Sequence, residues 1–223
     1  MSSRALKIIL PISKRDQVVA SIKEAILAGN LQPGETIVES RMAQQLGAGT
    51  PLVREALIEL EHQGYVQKIP YKGTTVTKLE RSNVEQIFRL RLELETLAIE
   101  WAKERVTAED LDYLHNVTDK MLRAAQALEL DQFYENDLAF HRKLWHLSGN
   151  EYLVDCLERL VVPLFAFFVM KNRRDRKSYI ESAANHARIV EALPRLSRAK
   201  LSALLRDSLT DWKSEVLEQL LPQ

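Results

Sequence analysis

A chain of 223 residues that is 46% hydrophobic and 28% charged, with seven glycines and seven prolines, has the composition of a packed globular protein. It has room for one large domain or two modest ones, and a disordered or collagen-like chain is excluded. The single cysteine, Cys156, excludes an internal disulfide and a thiolate zinc cluster, and fits a reducing compartment; beside Asp155 and Glu158 on an amphipathic segment it reads as an ordinary packing residue. The formal net charge is zero, and residues 1–80 hold ten Lys and Arg against eight Asp and Glu. Bulk charge therefore does not argue for nucleic-acid binding, and any such claim rests on where the charges sit. The longest apolar run, Leu160 to Met170, is eleven residues, about half of the ~20 a membrane-spanning helix needs. With no signal-peptide pattern at the N-terminus, a cytoplasmic location and no membrane partner are expected.

The first eighty residues are divided by closely spaced turn signals at Gly29-Asn30, Pro33-Gly34, Gly47-Ala48-Gly49 and Tyr71-Lys72-Gly73. Beyond Ser82 the only glycine is Gly149. Two domains are expected, 1–80 and 81–223. In the first, Asp16 to Ala28 places Val19, Ile22, Ile26 and Leu27 on one helical stripe. A short helix over Glu39 to Leu46 follows. After a turn comes a second helix with Thr50 as N-cap and Pro51 as first helical position, running to Gly64. The β-prone runs Tyr65–Lys68 and Thr74–Thr77 then form a small hairpin. Helix, helix–turn–helix and hairpin in that order predict a winged helix-turn-helix.

The remainder reads as six or seven helices. Val84 to Arg105 carries an apolar stripe of Val84, Ile87, Leu90, Leu94, Leu97 and Trp101. Thr107 to Asp110 is a capping-box variant that opens a helix through about Leu128. Further helices cover Asp131 to Ser148, Glu151 to Asn172 with a place to kink at Pro163, Ser178 to Leu193, and Ser197 to Leu220. Short connections favour an all-α antiparallel bundle. The expected fold class is thus mainly α, a winged helix-turn-helix followed by that bundle. The aromatic run Phe165-Ala166-Phe167-Phe168 reads as core or dimer packing rather than a cofactor box, and the basic run 173–177 as a solvated loop.

The second helix of a helix–turn–helix is the rod that enters a major groove, N-terminus first. Here that end carries Thr50, Pro51, Leu52 and Arg54. Arg54 is the candidate for a base edge or phosphate, since its fork bonds bidentately; the alternative is a surface pair with Glu55 or Glu59. Lys68, Lys72, Thr74 and Thr75 lie on the wing, where phosphate or minor-groove contact is available. In the bundle, Asp137 and His141 share a helix face one turn apart, and His186 lies on a later helix. A carboxylate and two imidazoles converging in a bundle suit zinc, nickel or manganese with open positions left over. A surface pair is the plain alternative.

Several of these stretches together resemble the GntR family of bacterial transcription regulators. They are Ala28-Gly29-Asn30-Leu31-Gln32-Pro33-Gly34-Glu35, Met42-Ala43-Gln44-Gln45-Leu46-Gly47, Val53-Arg54-Glu55-Ala56-Leu57, Leu60 through Val66, and Gly73-Thr74-Thr75-Val76. The resemblance implies a DNA-reading domain used as a homodimer on a palindromic operator. It carries Arg54 over as a DNA contact, with Thr50 and the wing residues Gly73 and Thr74. The chain departs where the family usually has Ser-Arg, here Gly49-Thr50, and where an arginine is common, here Ser40 beside Arg41. Its operator is expected to differ from the family's commonest one.

The second half resembles the FCD effector domain of the FadR-type branch. The matching text is Arg91 through Ala98, Asp137 through Arg142, Ser148-Gly149-Asn150 and His186 through Val190. In many such domains an Asp and three His hold a divalent metal beside which a small organic acid binds. Asp137, His141 and His186 occupy three of those positions, and the fourth is Ser208. Adjacent Asp207, water or the effector itself could complete the set. Arg91 matches a family arginine that could grip an effector carboxylate; an ion pair with Glu95 is the alternative. The expected function is a ligand-responsive repressor, released from its operator by the acid. A metal sensor and, in another class, a metal-dependent hydrolase are the alternatives; an enzyme is not expected, because no nucleophilic triad or phosphate loop is present.

Overall fold

Val18, Ile22 and Ile26 recur at every fourth residue of helix α1 (Lys14–Leu27) and form its buried face. The expected stripe put Val19 there; Val18 is the residue in line with Ile22 and Ile26, and Val19 is half-buried at its side. The computed structural model describes residues 13–171 and 176–219. It divides the chain into two units, Met1–Val76 and Thr77–Gln223. The Ser13 hydroxyl starts α1 by accepting the Asp16 N–H at 3.0 Å.

A two-residue strand, β1 (Thr36–Ile37), precedes α2 (Glu39–Leu46), which closes on left-handed Gly47 at φ +60°. Helix α3 (Thr50–His62) buries Val53, Ala56, Leu57 and Leu60. Its start is shifted by one from the expected cap. Gly49, in extended conformation, is the N-cap and makes no side-chain hydrogen bond, while Thr50 and Pro51 lie in the first turn. Pro is tolerated there because an N–H in the first turn has no intrahelical acceptor. The wing pairs β2 (Val66–Ile69) with β3 (Gly73–Val76) in antiparallel register, Lys68 opposite Thr74 and Ile69 opposite Gly73. Strand β1 pairs with the other edge of β3, giving the order β1-β3-β2. Thr74 therefore sits in the central strand and is buried.

The second unit is all helix: α4 (Arg81–Ala102), α5 (Ala108–Ala127), α6 (Leu130–Leu147), α7 (Glu151–Lys171), α8 (Arg176–Arg195) and α9 (Arg198–Gln219). Among successive helices, α5 packs on α6, α6 on α7 and α8 on α9, as short connections in a helical bundle allow. Helix α5 also packs on α8, and α4 on α6, α7 and α9. The core gathers Ile99, Leu114, Phe140, Leu144, Ile189, Leu193 and Leu205. Phe165, Phe167 and Phe168 are buried, and Phe165 and Phe168 pack on the Trp212 ring at 5.8 and 5.0 Å. Cys156, expected to pack, is exposed on α7, whose inner face is taken by Leu153, Val154 and Leu157. Of the basic run, residues 173–175 lie outside the described residues, and Lys177 pairs with Glu181 at the surface. Among the described residues no helix is long and apolar enough to cross a membrane.

Helix α4 departs most from expectation. Its buried face is Val84, Phe88, Arg91, Glu95, Ala98, Ile99 and Ala102, while Leu90 and Leu97 are 53% and 40% exposed. Two charged side chains lie in the inward stripe, so the apolar pattern points to the wrong side.

The α5 cap is reciprocal. The Asp110 N–H donates to the Thr107 hydroxyl, while the Thr107 N–H and hydroxyl donate to Asp110 Oδ2 at 2.9 and 2.7 Å. Lys143 on α6 adds an ion pair at 2.5 Å. Lys143 and these two donors hold the Asp110 carboxyl down at about 2, from an ordinary 3.8. A lowered folded-state value stabilises the fold above the unfolded value and is lost as pH falls through the folded one. Asp110→Asn should therefore lower the melting temperature by a constant amount above about pH 4. The deficit should shrink towards about pH 2, which thermal scans of both proteins over that range will read.

Candidate functional site

Two places in the chain gather chemistry. In the first unit, the N-terminal end of α3 has no side-chain cap and no acidic residue in its first turn. The positive end of its dipole is left without a neutralising carboxylate of its own, as suits phosphate. Pro51 and Arg54 are exposed there and Thr50 is half-buried. Arg54 pairs with neither Glu55 nor Glu59. Its Nε and Nη2 instead donate to Glu39 Oε2 on α2 at 3.1 and 2.8 Å. The pair raises the guanidinium pKa further, through the hydrogen bond and the charge of Glu39, and fixes the fork at the surface.

The wing tip exposes Tyr71, Lys72 and Gly73. The turn is closed by the Lys72 N–H donating to Ile69 O at 3.0 Å, with Tyr71 and Gly73 both left-handed at φ +64° and +82°. Sequence reading passed over Tyr71 because a single aromatic in a turn carries no periodic signal. Thr74 and Thr75, placed on the contact surface from sequence, are covered: β1 closes the far edge of their strand. Lys68 remains exposed on β2.

The second place lies inside the helical unit. Helix α6 carries Asp137 and His141, and α8 carries His186. All three are buried, with one ligand atom each inside a 4.8 Å sphere of separations. His186 Nε2 lies 2.9 Å and His141 Nε2 3.5 Å from Asp137 Oδ1, and the two Nε2 atoms are 3.3 Å apart. The second nitrogens fix which atoms face inward. His186 Nδ1 lies 2.7 Å from Ser182 O, the carbonyl one turn earlier on α8, which places a donated proton there. His141 Nδ1 lies 3.0 Å from Glu95 Oε2, close though poorly aligned for a hydrogen bond. Both imidazoles therefore turn Nε2 towards the carboxylate, the arrangement in which an outer partner orients a metal-binding histidine.

Asp137 Oδ1 is buried without a hydrogen-bonding partner. One carboxylate oxygen and two imidazole Nε2 atoms facing one another in a buried site are a donor set that a divalent cation satisfies once the nitrogens are deprotonated, and the residues fit such an ion. Burial alone would push the Asp137 carboxyl up, but His186 and His141 bring it below its ordinary value. Burial likewise opposes charge on both histidines. Asp137 overcomes it at His186, whose pKa is raised, whereas at His141 burial wins and the pKa is lowered.

Arg91 is 0% exposed and stands against this cluster. Its Nε donates to Glu95 Oε1 at 2.6 Å, its Nη2 lies 3.0 Å from His141 Nε2, and its Nη1 has no partner. Arg91 is ion-paired with Glu95, the alternative read from sequence, and it also lines the cavity. Against burial, Arg91 and His141 hold the Glu95 carboxyl at about 2. The cavity, about 180 Å³, is lined by Arg91, Asp137, His141 and His186 together with α9 residues that include Ser208, Asp211 and Trp212. Asp207, considered as a substitute ligand, is exposed and does not line it; the helical turn that brings Ser208 inward carries its neighbour out. Glu95 and Ser182 were missed as parts of the site. Their signal is positional, each one turn from a residue that was identified.

A winged helix with an open reading end, followed by a separate helical unit built around a buried polar cavity, defines a DNA-binding transcriptional regulator. Comparison with known proteins makes the assignment specific. The family model "Bacterial regulatory proteins, gntR family" matches residues 14–76, and the FCD domain model matches residues 86–211, more than half of the chain. The transcriptional regulator McbR of Escherichia coli K12 is 30% identical over 148 residues, 66% of this chain and 67% of McbR. The transcriptional repressor RspR of the same strain is 24% identical over 144 residues, 65% of this chain and 63% of RspR. The alignments thus span about two thirds of these curated relatives. In three dimensions the chain is similar to E. coli McbR/YncC, with a TM-score of 0.70, 24% identity and coverage of 93% of this chain and 99% of the other. The metal-free FCD domain of TM0439 gives a TM-score of 0.51 at 15% identity, covering 63% and 96% of the two chains. The chain belongs to the GntR family, in the FadR-type branch that joins a winged helix-turn-helix to an FCD domain. It is a regulator and not an enzyme, as its named relatives are.

Replacing Arg54 by alanine should weaken binding to the operator by about ten- to a hundredfold, with the circular dichroism spectrum unchanged. Fluorescence anisotropy with a labelled operator fragment measures this, and unchanged affinity removes Arg54 from the DNA contact.

Proposed function

We propose that the protein is a ligand-responsive repressor that binds a palindromic operator as a homodimer in the cytoplasm and releases it when a small organic acid enters the FCD cavity beside a divalent metal. The observation that carries this reading is the convergence of Asp137 Oδ1, His141 Nε2 and His186 Nε2 in a buried cavity that also holds an arginine. The three residues would hold zinc, nickel or manganese; the ion would supply a Lewis-acidic centre for an acid's carboxylate. Ser208 leaves the position of a fourth protein ligand open to water or effector. Arg91, with Nη1 unmatched, offers the second contact that distinguishes an organic acid from a neutral molecule.

The other assignments rest on separate observations. For DNA we propose Arg54, Thr50, Lys72 and Gly73, all at the open end of α3 or the wing tip. The division into a reading domain of residues 1–80 and an effector and dimerisation domain of 81–223 accords with the two compact units. Leu90 and Leu97, two turns apart and exposed on α4, offer an apolar strip for a second copy. The repressor sign draws on the name of RspR. Coupling between cavity and operator needs a difference in effector affinity between two arrangements, ordinarily ~1–3 kcal/mol.

Three measurements test the reading. Operator affinity is followed while zinc, nickel or manganese and a panel of small organic acids are added singly and together. Release that needs both supports the proposal; release by metal alone would identify a metal sensor instead. His141→Ala should lose the bound metal, measured by elemental analysis, and the response to acid, while basal operator binding stays within about twofold. Because metal and proton compete for the same Nε2 atoms and Asp137 raises the His186 pKa, metal affinity should fall as pH drops from about 8 to about 6. Titration calorimetry at both values reads the change, and a pH-independent affinity counts against these ligands.

A further inference from the structure

The Nε2 atom of His141 has one in-plane lone pair, and two cations have a claim on it. A guanidinium only donates, so at 3.0 Å from Arg91 Nη2 that lone pair is the acceptor and the ring proton sits on Nδ1, beside Glu95 Oε2. A metal held by Asp137, His141 and His186 needs the same lone pair, and it would stand beside a guanidinium that is always charged. Arg91 and the metal cannot both be served. The guanidinium is anchored at one end only, through Nε to Glu95. Nη1 is buried with no partner, and the group lies over the rings of Trp212 at 4.7 Å and Phe165 at 5.3 Å, contacts with less directional demand than a hydrogen bond.

We propose that Arg91 is an internal competitor of the metal: it occupies the His141 lone pair in the empty site and yields it when a carboxylate takes up its Nη1 and Nη2 protons. This rests on the metal reading above and goes beyond it, because it assigns to Arg91 a control over metal affinity and not only a grip on the acid. A carboxylate meets the unmatched Nη1, draws Nη2 away from His141 in a two-pronged hydrogen bond, and screens the positive charge from the incoming ion. Metal and acid then bind with positive coupling, each tightening the other by the same factor. With Ser208 in place of a fourth histidine, three protein donors alone must overcome the competitor, so retention of the ion is made dependent on the acid.

The test uses the full chain and two simple probes, zinc and acetate, in titration calorimetry. Arg91→Met is made together with Glu95→Gln, so that no buried carboxylate is left unpaired and an oxygen remains beside His141 Nδ1. Arg91→Lys is a second variant that keeps a cation for Glu95 without the fork. The double variant should bind zinc about tenfold or more tightly than the parent without acetate. The lysine variant should shift in the same direction. Acetate should strengthen zinc binding to the parent by a clearly larger factor than to the double variant, where only its direct ligation of the ion remains. Should the double variant fail to fold, the lysine variant decides alone. Zinc affinities equal to or weaker than the parent's, with the acetate effect intact, overturn the competition while leaving the metal site standing. No zinc uptake by the parent or by either variant overturns the metal site and the competition together.

Discussion

A guanidinium with no exposure to solvent has to be answered by the residues around it, and much of the helical unit is arranged to answer Arg91. Moving an ion into a protein interior carries an effective penalty of several kcal/mol even after relaxation, and stripping a buried charge of its partner costs about 3–5 kcal/mol. Glu95 answers from the same helix, one turn on; His141 answers from α6; and the rings of Phe88, Phe165 and Trp212 come from α4, α7 and α9. Four helices are thereby tied to one side chain. The same tie brings His141 to face Asp137 and His186, so the donor set is a consequence of how the buried cation is accommodated. Such a cluster does not favour stability over an apolar core of the same volume. Its persistence in the interior is better explained by function.

The reading unit follows another logic, in which charge is kept outside. Helix α3 packs through Val53, Ala56, Leu57 and Leu60, and nothing charged is needed to hold it. Arg54 lies on the opposite side, and Glu39 holds its fork from the first turn of α2. An exposed pair of this kind adds little stability. It does restrict the guanidinium to one region, which would lower the entropy lost in the DNA contact proposed for it. The first unit thus has a rigid apolar interior and a prepared polar edge, and the second has a polar interior.

Sequence periodicity recovered the helices because apolar residues dominate the inward stripe of most of them, even on α6 and α8, where Asp137, His141 and His186 interrupt it. On α4 the inward stripe contains Arg91 and Glu95, and the outward side carries Leu90 and Leu97, so the stronger apolar signal lies on the exposed face. Strand β1 was not legible, since two residues cannot show alternation. Thr74 was placed at the wing surface without that strand, and in the structure it lies in the central strand and is buried. The cap of α3 was displaced by one residue because Thr50 is a good capping residue by type, whereas the backbone of Gly49 occupies the position without needing a side chain. Asp137, His141 and His186 were legible from spacing and from the family resemblance. Glu95 was visible only as an ion-pair partner, because a helix-internal Arg–Glu pair looks the same on paper whether it is buried or exposed.

The proposed coupling between cavity and operator would be constrained by covalent structure. Strand β3 ends at Val76 and α4 begins at Arg81, so four residues join the wing to the helix that carries Arg91. A long flexible tether would dissipate a change at α4, whereas a connector this short limits how much motion can be lost along it. Under the proposed competition the site would have two discrete ways to satisfy its charges, the observed one with Arg91 on His141 and a second with a metal there and Arg91 on an acid. Packed interiors pass between such alternatives in steps rather than by gradual deformation. Exchange of one cation for another at a single imidazole nitrogen is a change of that kind, and it takes place on the helices, α4 and α6, that hold the centre of the bundle together.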